Sequence, residues 1–168
     1  GEANVELTFD LAYRTGYALG TMLSEQVDRH PLVYIGRDTR ISGGMLEAAL
    51  TAGLCNAGAD VTTLGIMPTP AVAWLTAHSE EADAGIVISA SHNPFADNGI
   101  KIFGGQGFKL TDAQEERIEA LIDEPTGMVR TGAQLGMVKA FEGGNPVEAY
   151  VRHIAETAPC RLIGMRVA

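Results

Sequence analysis

Cysteine is scarce in this sequence: two in 168 residues, Cys55 and Cys160. Neither lies in a CxxC pair or near a histidine, so neither zinc nor a disulfide framework is indicated, a usage that fits a reducing cytoplasm. No apolar run approaches the ~20 residues that a membrane helix needs. The first residues, Gly1-Glu2-Ala3-Asn4-Val5-Glu6, lack the basic-then-apolar plan of a signal peptide. The expectation is a soluble, cytoplasmic chain. Basic residues are also few, with Lys plus Arg 12 against Asp plus Glu 21 and a net charge of −9. That balance leaves no continuous basic face for nucleic acid or an anionic membrane. An anionic small molecule remains open, because a few well-placed donors suffice to hold a phosphate.

What is present is ordinary for a globular domain: 46% hydrophobic and 20% charged residues, with enough length to bury a core unaided by disulfides or metal. Glycine is the exception, with 20 residues where the average usage of about 7% would give about 12. These glycines cluster between periodic segments, so the chemistry is sought in loops.

Thr8 to Arg29 reads as a helix, with Leu11, Ala12, Ala18, Leu19, Met22 and Leu23 on one face and Pro31 ending it. Leu32 to Gly36 is a short apolar run suited to a buried strand. Ser42 is placed to cap a helix from Gly43 to Asn56, stopped by Gly58. Asp60 to Leu64 is a second strand, and Thr69-Pro70 reads as an N-cap with proline at N1 for a helix reaching about His78. Ala84 to Ile88 is a third strand, and Asn98-Gly99 signals a turn into a fourth, Ile100 to Phe103. Thr111 to Gln114 is a capping sequence for a helix over Ala113 to Ile122. The stretch from 124 to 144 is read as loops with room for a short strand. Pro146 to Thr157 is a final amphipathic helix, and the run from Leu162 begins like another strand. Strands alternating with helices predict an α/β sandwich with a largely parallel sheet and one antiparallel strand.

The most informative stretch runs from Ile88 to Lys101, Ile-Ser-Ala-Ser-His-Asn-Pro-Phe-Ala-Asp-Asn-Gly-Ile-Lys. It starts where a buried strand ends, the usual place for an active loop in an α/β protein. Pro94 restricts Asn93 to extended geometry and favours a single loop shape. Turns use Ser, Asn, Asp and Gly for their own reasons, so composition alone leaves a plain turn as an equal alternative. A serine-hydrolase reading is weaker, because no G-x-S-x-G elbow turns directly into a helix.

Ser91-His92-Asn93-Pro94, with Ile88-Ser89-Ala90 before it and Asp97 to Lys101 after it, resembles the phosphoserine loop of the α-D-phosphohexomutases. Met67 to Ala73 and Gly36-Arg37-Asp38-Thr39-Arg40-Ile41-Ser42-Gly43 match further motifs of that family in order and spacing. Within the family the wording is most similar to members acting on glucosamine phosphates. The resemblance implies a three-layer α/β/α first domain over 1–157, with about four strands in a mixed, mostly parallel sheet. It assigns 158–168 to a linker and the start of a second domain. The family's opening Gly-x-Asp-Gly-Ile-Arg-Gly-like turn is missing from this sequence. Its metal-binding aspartates, sugar-recognition loop and distal phosphate loop belong to later domains, so the resemblance implies that this chain alone is inactive.

What the resemblance implies chemically is a relay of phosphate between two positions of one hexose. Ser91 would carry the phosphate, give it to glucosamine 6-phosphate to form a 1,6-bisphosphate, and take back the other phosphate. The hexosamine 1,6-bisphosphate would then also serve as activator. Mg²⁺ would be held through the phosphate on Ser91, with its other ligands in a second domain. Lys101 would stabilise the transferring group and assist proton transfer, and His92 would orient the loop or donate to the phosphate. The implied partners are the phosphosugar and domains II–IV of a longer chain, and the resemblance leaves room for a homodimer. A glucose or mannose phosphate as substrate is the alternative within the family. A non-catalytic sugar-phosphate-binding module is the alternative outside it, with Ser91, His92 and Lys101 together counting against it.

Arg37 and Arg40 are weaker candidates for a substrate phosphate, since an Asp38–Arg pair at a strand end more often fixes a loop. Gly104-Gly105-Gln106-Gly107 follows a strand without opening a helix and reads as a tight turn. His30, His78 and His153 read as surface or packing residues, and Trp74 as core.

Overall fold

In the computed structural model, which describes residues 1–124, 130–160 and 163–166, four strands form one sheet. They are β1 (Leu32–Arg37), β2 (Asp60–Ile66), β3 (Ala82–Ile88) and β4 (Ile100–Gly104), in the order β2-β1-β3-β4. The first three are parallel and β4 runs antiparallel to β3. Helices α1 (Phe9–Ser24), α2 (Gly43–Asn56) and α4 (Asp112–Asp123) cover one face. There Leu19, Leu46, Leu50, Leu54 and Leu121 pack on Val33, Ile35, Val61 and Ile86. Helices α3 (Thr69–Ala77) and α5 (Pro146–Thr157) lie on the other face. Val72 and Leu75 are buried there against Tyr34, Leu64 and Val87, with Ala149 and Tyr150 of α5 at the margin. The result is the expected three-layer α/β/α sandwich with a mixed sheet. Among the described residues no helix is long and apolar enough to cross a membrane.

Most elements fall where periodicity and caps put them. Thr111 and Gln114 form a reciprocal capping box on α4, and Asn145 accepts from the Val147 and Glu148 amides at the start of α5. α1 and α2 approach closely because glycines leave room where they cross. A Cβ on Gly53 would stand 2.7 Å from the Tyr17 nitrogen and closer still to the Tyr13 carbonyl oxygen, and one on Gly20 would lie 2.8 Å from Ala57 Cβ.

Four expectations need correction. α1 stops at Ser24 rather than Arg29, because its apolar face ends at Leu23 and a further turn would have nothing to bury. Arg29 instead pairs with Asp83 at 2.7 Å. The N-cap of α3 is Pro68 rather than Thr69; the Pro68 carbonyl already accepts from the Ala71 and Val72 amides. Ser42 stands at the N-cap position of α2 but makes no side-chain cap, its hydroxyl being spent on Asn98 at 2.6 Å. Asn98-Gly99 is not a primed two-residue turn, since neither residue has positive φ. Gly99 is required for another reason: a Cβ there would press on the Ser89 carbonyl at 3.0 Å.

Between α4 and α5, residues 125–129 lie outside the described set, Gly132–Gln134 forms a 3₁₀ turn, and the expected short strand reduces to one parallel bridge, Val61 to Val138. Gly104 to Gly107 closes a tight turn through the Gly107 amide and Gly104 carbonyl at 2.8 Å. Of the C-terminal run, Leu162, Val167 and Ala168 lie outside the described residues, and Ile163 to Arg166 include a turn but no strand. Trp74 is half-buried on α3. Its indole stacks with the rings of His78 at 4.6 Å and His153 at 4.4 Å, whose own centroids are 6.1 Å apart, so two histidines distant in sequence serve one packing contact.

Candidate active site

β1 and β3 end together, with Arg37 paired to Ile88. The loops that follow them, 38–42 and 89–99, therefore leave the same edge of the sheet side by side. The Asp38 amide extends the pairing by donating to the Ile88 carbonyl at 3.0 Å. β4 returns antiparallel with Lys101 opposite Val87 and Ile100 opposite Ile88. Alternation sends Ile100 and Ile102 into the core under α1, α2 and α4, so Lys101 faces the other way.

That placement brings two expected residues together. Lys101 Nζ donates to Ser91 Oγ at 2.7 Å. Ser91 is exposed and holds φ at +56°, one of two non-glycine residues with positive φ among those described. A left-handed serine costs about 1–3 kcal/mol and persists only where its surroundings over-determine it. His92 is exposed beside it and makes no hydrogen bond among the described residues.

The two arginines behave differently from a substrate-binding pair. Arg37 Nε donates to Glu47 on α2 at 2.9 Å, tying the strand end to the helix. Arg40 Nε donates to Asp38 Oδ2 at 2.9 Å. Its remaining nitrogens donate to three carbonyls of the serine loop: Ser91 at 3.2 Å, Asn93 at 3.1 Å, and Pro94. The Arg40 side chain is only 9% exposed, so its donors are spent inside the protein. Burial pushes the Asp38 carboxyl up. Hydrogen bonds from the Arg40 amide, the Ser89 hydroxyl and the Arg40 guanidinium outweigh it and leave the group below its ordinary value.

Asn98 is buried at the far end of the loop. It accepts from Ser42 at 2.6 Å and donates to the Ala96 carbonyl at 3.0 Å, while the Ser89 amide closes the loop onto the Gly99 carbonyl at 2.9 Å. Ser89 and Asn98 were not distinguishable as supports in the sequence, where they read as turn composition. The one available signal is their position in the loop, just past the end of β3 and just before β4.

Chemically, the arrangement is an exposed hydroxyl in a fixed geometry, with one ammonium in hydrogen-bond reach and, among the described residues, no imidazole or carboxylate base on the oxygen. It suits a group that carries a charged substituent. Among the described residues no cluster of three or more His, Cys, Asp or Glu side chains could hold a metal.

Residues 1–127 match the family described as phosphoglucomutase/phosphomannomutase, alpha/beta/alpha domain I. Phosphoglucosamine mutase of Acetivibrio thermocellus is 49% identical over 170 residues, covering 100% of this chain and 37% of that protein. The enzyme of the same name from Bacillus subtilis is 51% identical over 171 residues with the same coverage. A crystal structure of a phosphoglucomutase/phosphomannomutase family protein from Burkholderia thailandensis superposes with a TM-score of 0.77 at 29% identity, over 94% of this chain and 34% of that one. The chain thus spans little more than a third of the length of the relatives it matches, and that third holds both the sheet and the serine loop. It belongs to the phosphoglucomutase/phosphomannomutase family, of which it forms the α/β/α domain I.

Proposed function

We propose that this chain is the phosphate-carrying domain of a longer phosphoglucosamine mutase, interconverting glucosamine 6-phosphate and glucosamine 1-phosphate through Ser91. The observation that carries the reading is the Ser91 hydroxyl held at positive φ against Lys101 at 2.7 Å. The names of the relatives at about half identity over the whole chain support the choice of sugar. In the forward direction the Ser91 Oγ–P bond breaks as a bond forms from phosphorus to the anomeric oxygen. The hydroxyl proton of the sugar is lost, and Oγ gains one. Lys101 is the group in reach of Oγ to supply that proton and to offset charge on the transferring oxygens. The bisphosphate then turns over, and its 6-phosphate returns to Ser91 by the same steps.

Among the described residues magnesium fits this reading through one position. A phosphate on the exposed Ser91 offers a hard cation an oxygen ligand, and on this reading its further oxygen ligands come from the later domains. Bound there, the ion would draw charge from the transferring group. The same reading makes the chain inactive by itself, makes its partners the phosphosugar and the later domains, and suits a cytoplasmic enzyme.

The test uses the full-length protein that carries this chain. Incubation with glucosamine 1,6-bisphosphate should add one phosphate by intact mass, mapped to Ser91, and Ser91→Ala should abolish turnover. Comparing glucosamine, glucose and mannose 6-phosphates as substrates then checks the sugar. Phosphate on Ser89 instead, or full activity in the alanine variant, overturns the assignment.

A further inference from the structure

The contacts around Ser91 close on themselves. The Ser91 amide donates to Ser89 Oγ at 3.1 Å, and Ser89 in turn lies against Asp38, whose carboxyl it helps hold below its ordinary value. That carboxylate accepts from Arg40 through the backbone amide at 3.1 Å and through Nε at 2.9 Å. Arg40 Nη2 then donates to the Ser91 carbonyl at 3.2 Å. Both backbone polar groups of the one serine are thus held, the amide by Ser89 and the carbonyl by Arg40, in a ring of contacts that runs through the neighbouring strand's exit. The Asp38 amide pins that exit to Ile88. The ring spans φ and ψ of Ser91, the two torsions that set the direction of its Cα–Cβ bond and so the side from which Oγ projects.

We infer that Asp38, Arg40 and Ser89 are positioning residues that lock Ser91 in its left-handed conformation and so aim its oxygen at Lys101. Arg40 on this account is not a ligand of substrate phosphate, in keeping with its buried side chain. Without the ring, Ser91 relaxes to ordinary negative φ and its oxygen swings away from the ammonium. Lysine does not replace arginine at position 40, because one ammonium cannot reach the carboxylate and three carbonyls at once.

The inference extends the phosphoserine reading, and only its kinetic arm depends on that reading. In the full-length protein, Arg40→Lys and Ser89→Ala should each lower kcat about 10-fold or more with KM for the sugar phosphate within about twofold of the parent. The double variant should be no worse than the poorer single one, because either change opens the same ring. A raised KM at unchanged kcat in Arg40→Lys would make Arg40 a substrate ligand. Independent, multiplying losses would mean there is no ring. Either result overturns the inference.

Amide hydrogen exchange on this chain provides the arm that needs no activity. Arg40 makes no bond to the Ser91 amide, yet in Arg40→Lys that amide should exchange at least about 10-fold faster, while the Ile86 amide in β3 keeps its rate. An unchanged Ser91 amide in a folded Arg40→Lys chain refutes the lock whatever the enzyme turns out to do.

Discussion

Replacing Gly53 by alanine should loosen the contact between α1 and α2, and the size of the effect follows from the geometry. The new Cβ would lie 2.7 Å from the Tyr17 nitrogen, with the Tyr13 carbonyl nearer still. Reaching ordinary contact at 3.4 Å requires the helices to part by at least 3.4 − 2.7 = 0.7 Å. A gap of that size forfeits a quarter to a half of the dispersion attraction between facing atoms. The residues that feel it, Ala12, Leu19, Leu50 and Leu54, have no exposure. Overpacking of this kind costs roughly 1–3 kcal/mol, and sometimes more; both partners here are backbone and cannot rotate aside, which argues for about 3–4. Alanine returns about 1 kcal/mol through helix propensity, leaving a net loss of about 2–3 kcal/mol. At roughly 2–4 °C per kcal/mol for a chain of this length, Tm should fall by about 4–12 °C. The matched control is Gly44→Ala in the first turn of α2, where a Cβ meets nothing within 4 Å; it should be neutral or raise Tm slightly. Thermal unfolding followed by far-UV circular dichroism measures both. A Gly53→Ala Tm within about 2 °C of the parent would refute the argument that backbone contact sets the spacing of these helices.

Lys101→Met in the full-length protein should lower kcat and kcat/KM together by about 100-fold, as expected for charge stabilisation confined to the transition state; near-normal kcat would remove Lys101 from the site. Asp60 is buried and accepts from Lys139 at 2.7 Å. Burial raises its carboxyl, but the Lys139 ammonium, the Met137 amide and His30 together bring it below its ordinary value of 3.8. A depressed folded pKa adds stability above the unfolded value that is lost as pH falls through the folded one, so Tm should drop more steeply below about pH 4 in the parent than in Asp60→Asn. Parallel acid profiles would contradict this. Ser42→Asp should destabilise more than Ser42→Ala, because a carboxylate would face the Asn98 oxygen that now accepts from the Ser42 hydroxyl; if Ser42 acted as a plain helix cap, aspartate would be the better tolerated of the two. Urea unfolding of both variants decides.

The layers of this fold were legible because they rest on local patterns. Leu32 to Gly36 and Ala84 to Ile88 are short apolar runs between glycine- and proline-marked loops, and Thr111 with Gln114 spells its capping box in four residues. The pairing of Ser91 with Lys101 was legible too, through the family motif and through strand alternation past Ile100. The support of the serine was not. Arg40 and Ser91 are 51 residues apart, and only the parallel pairing of β1 with β3 makes their loops neighbours. Ser42 is illegible for the same reason: a serine before a helix has a default local use, and a buried asparagine 56 residues away takes precedence over it. The end of α1 is hidden by an absence, since no local signal marks the place where an apolar face runs out.

The stacking of Trp74 with His78 and His153 gives the chain an internal optical gauge. Trp74 is the sole tryptophan, and two of its three ring partners, Tyr150 and His153, come from α5, a helix without a single fully buried residue. Indole emission therefore reports whether α5 is seated on α3, and carries little information about the sheet. A denaturant series followed by fluorescence will track the detachment of that helix, whereas circular dichroism follows the strands and the three helices on the opposite face. Two midpoints that differ would signify an outer helix that leaves before the body melts, and the colour shift of a single side chain would time its departure.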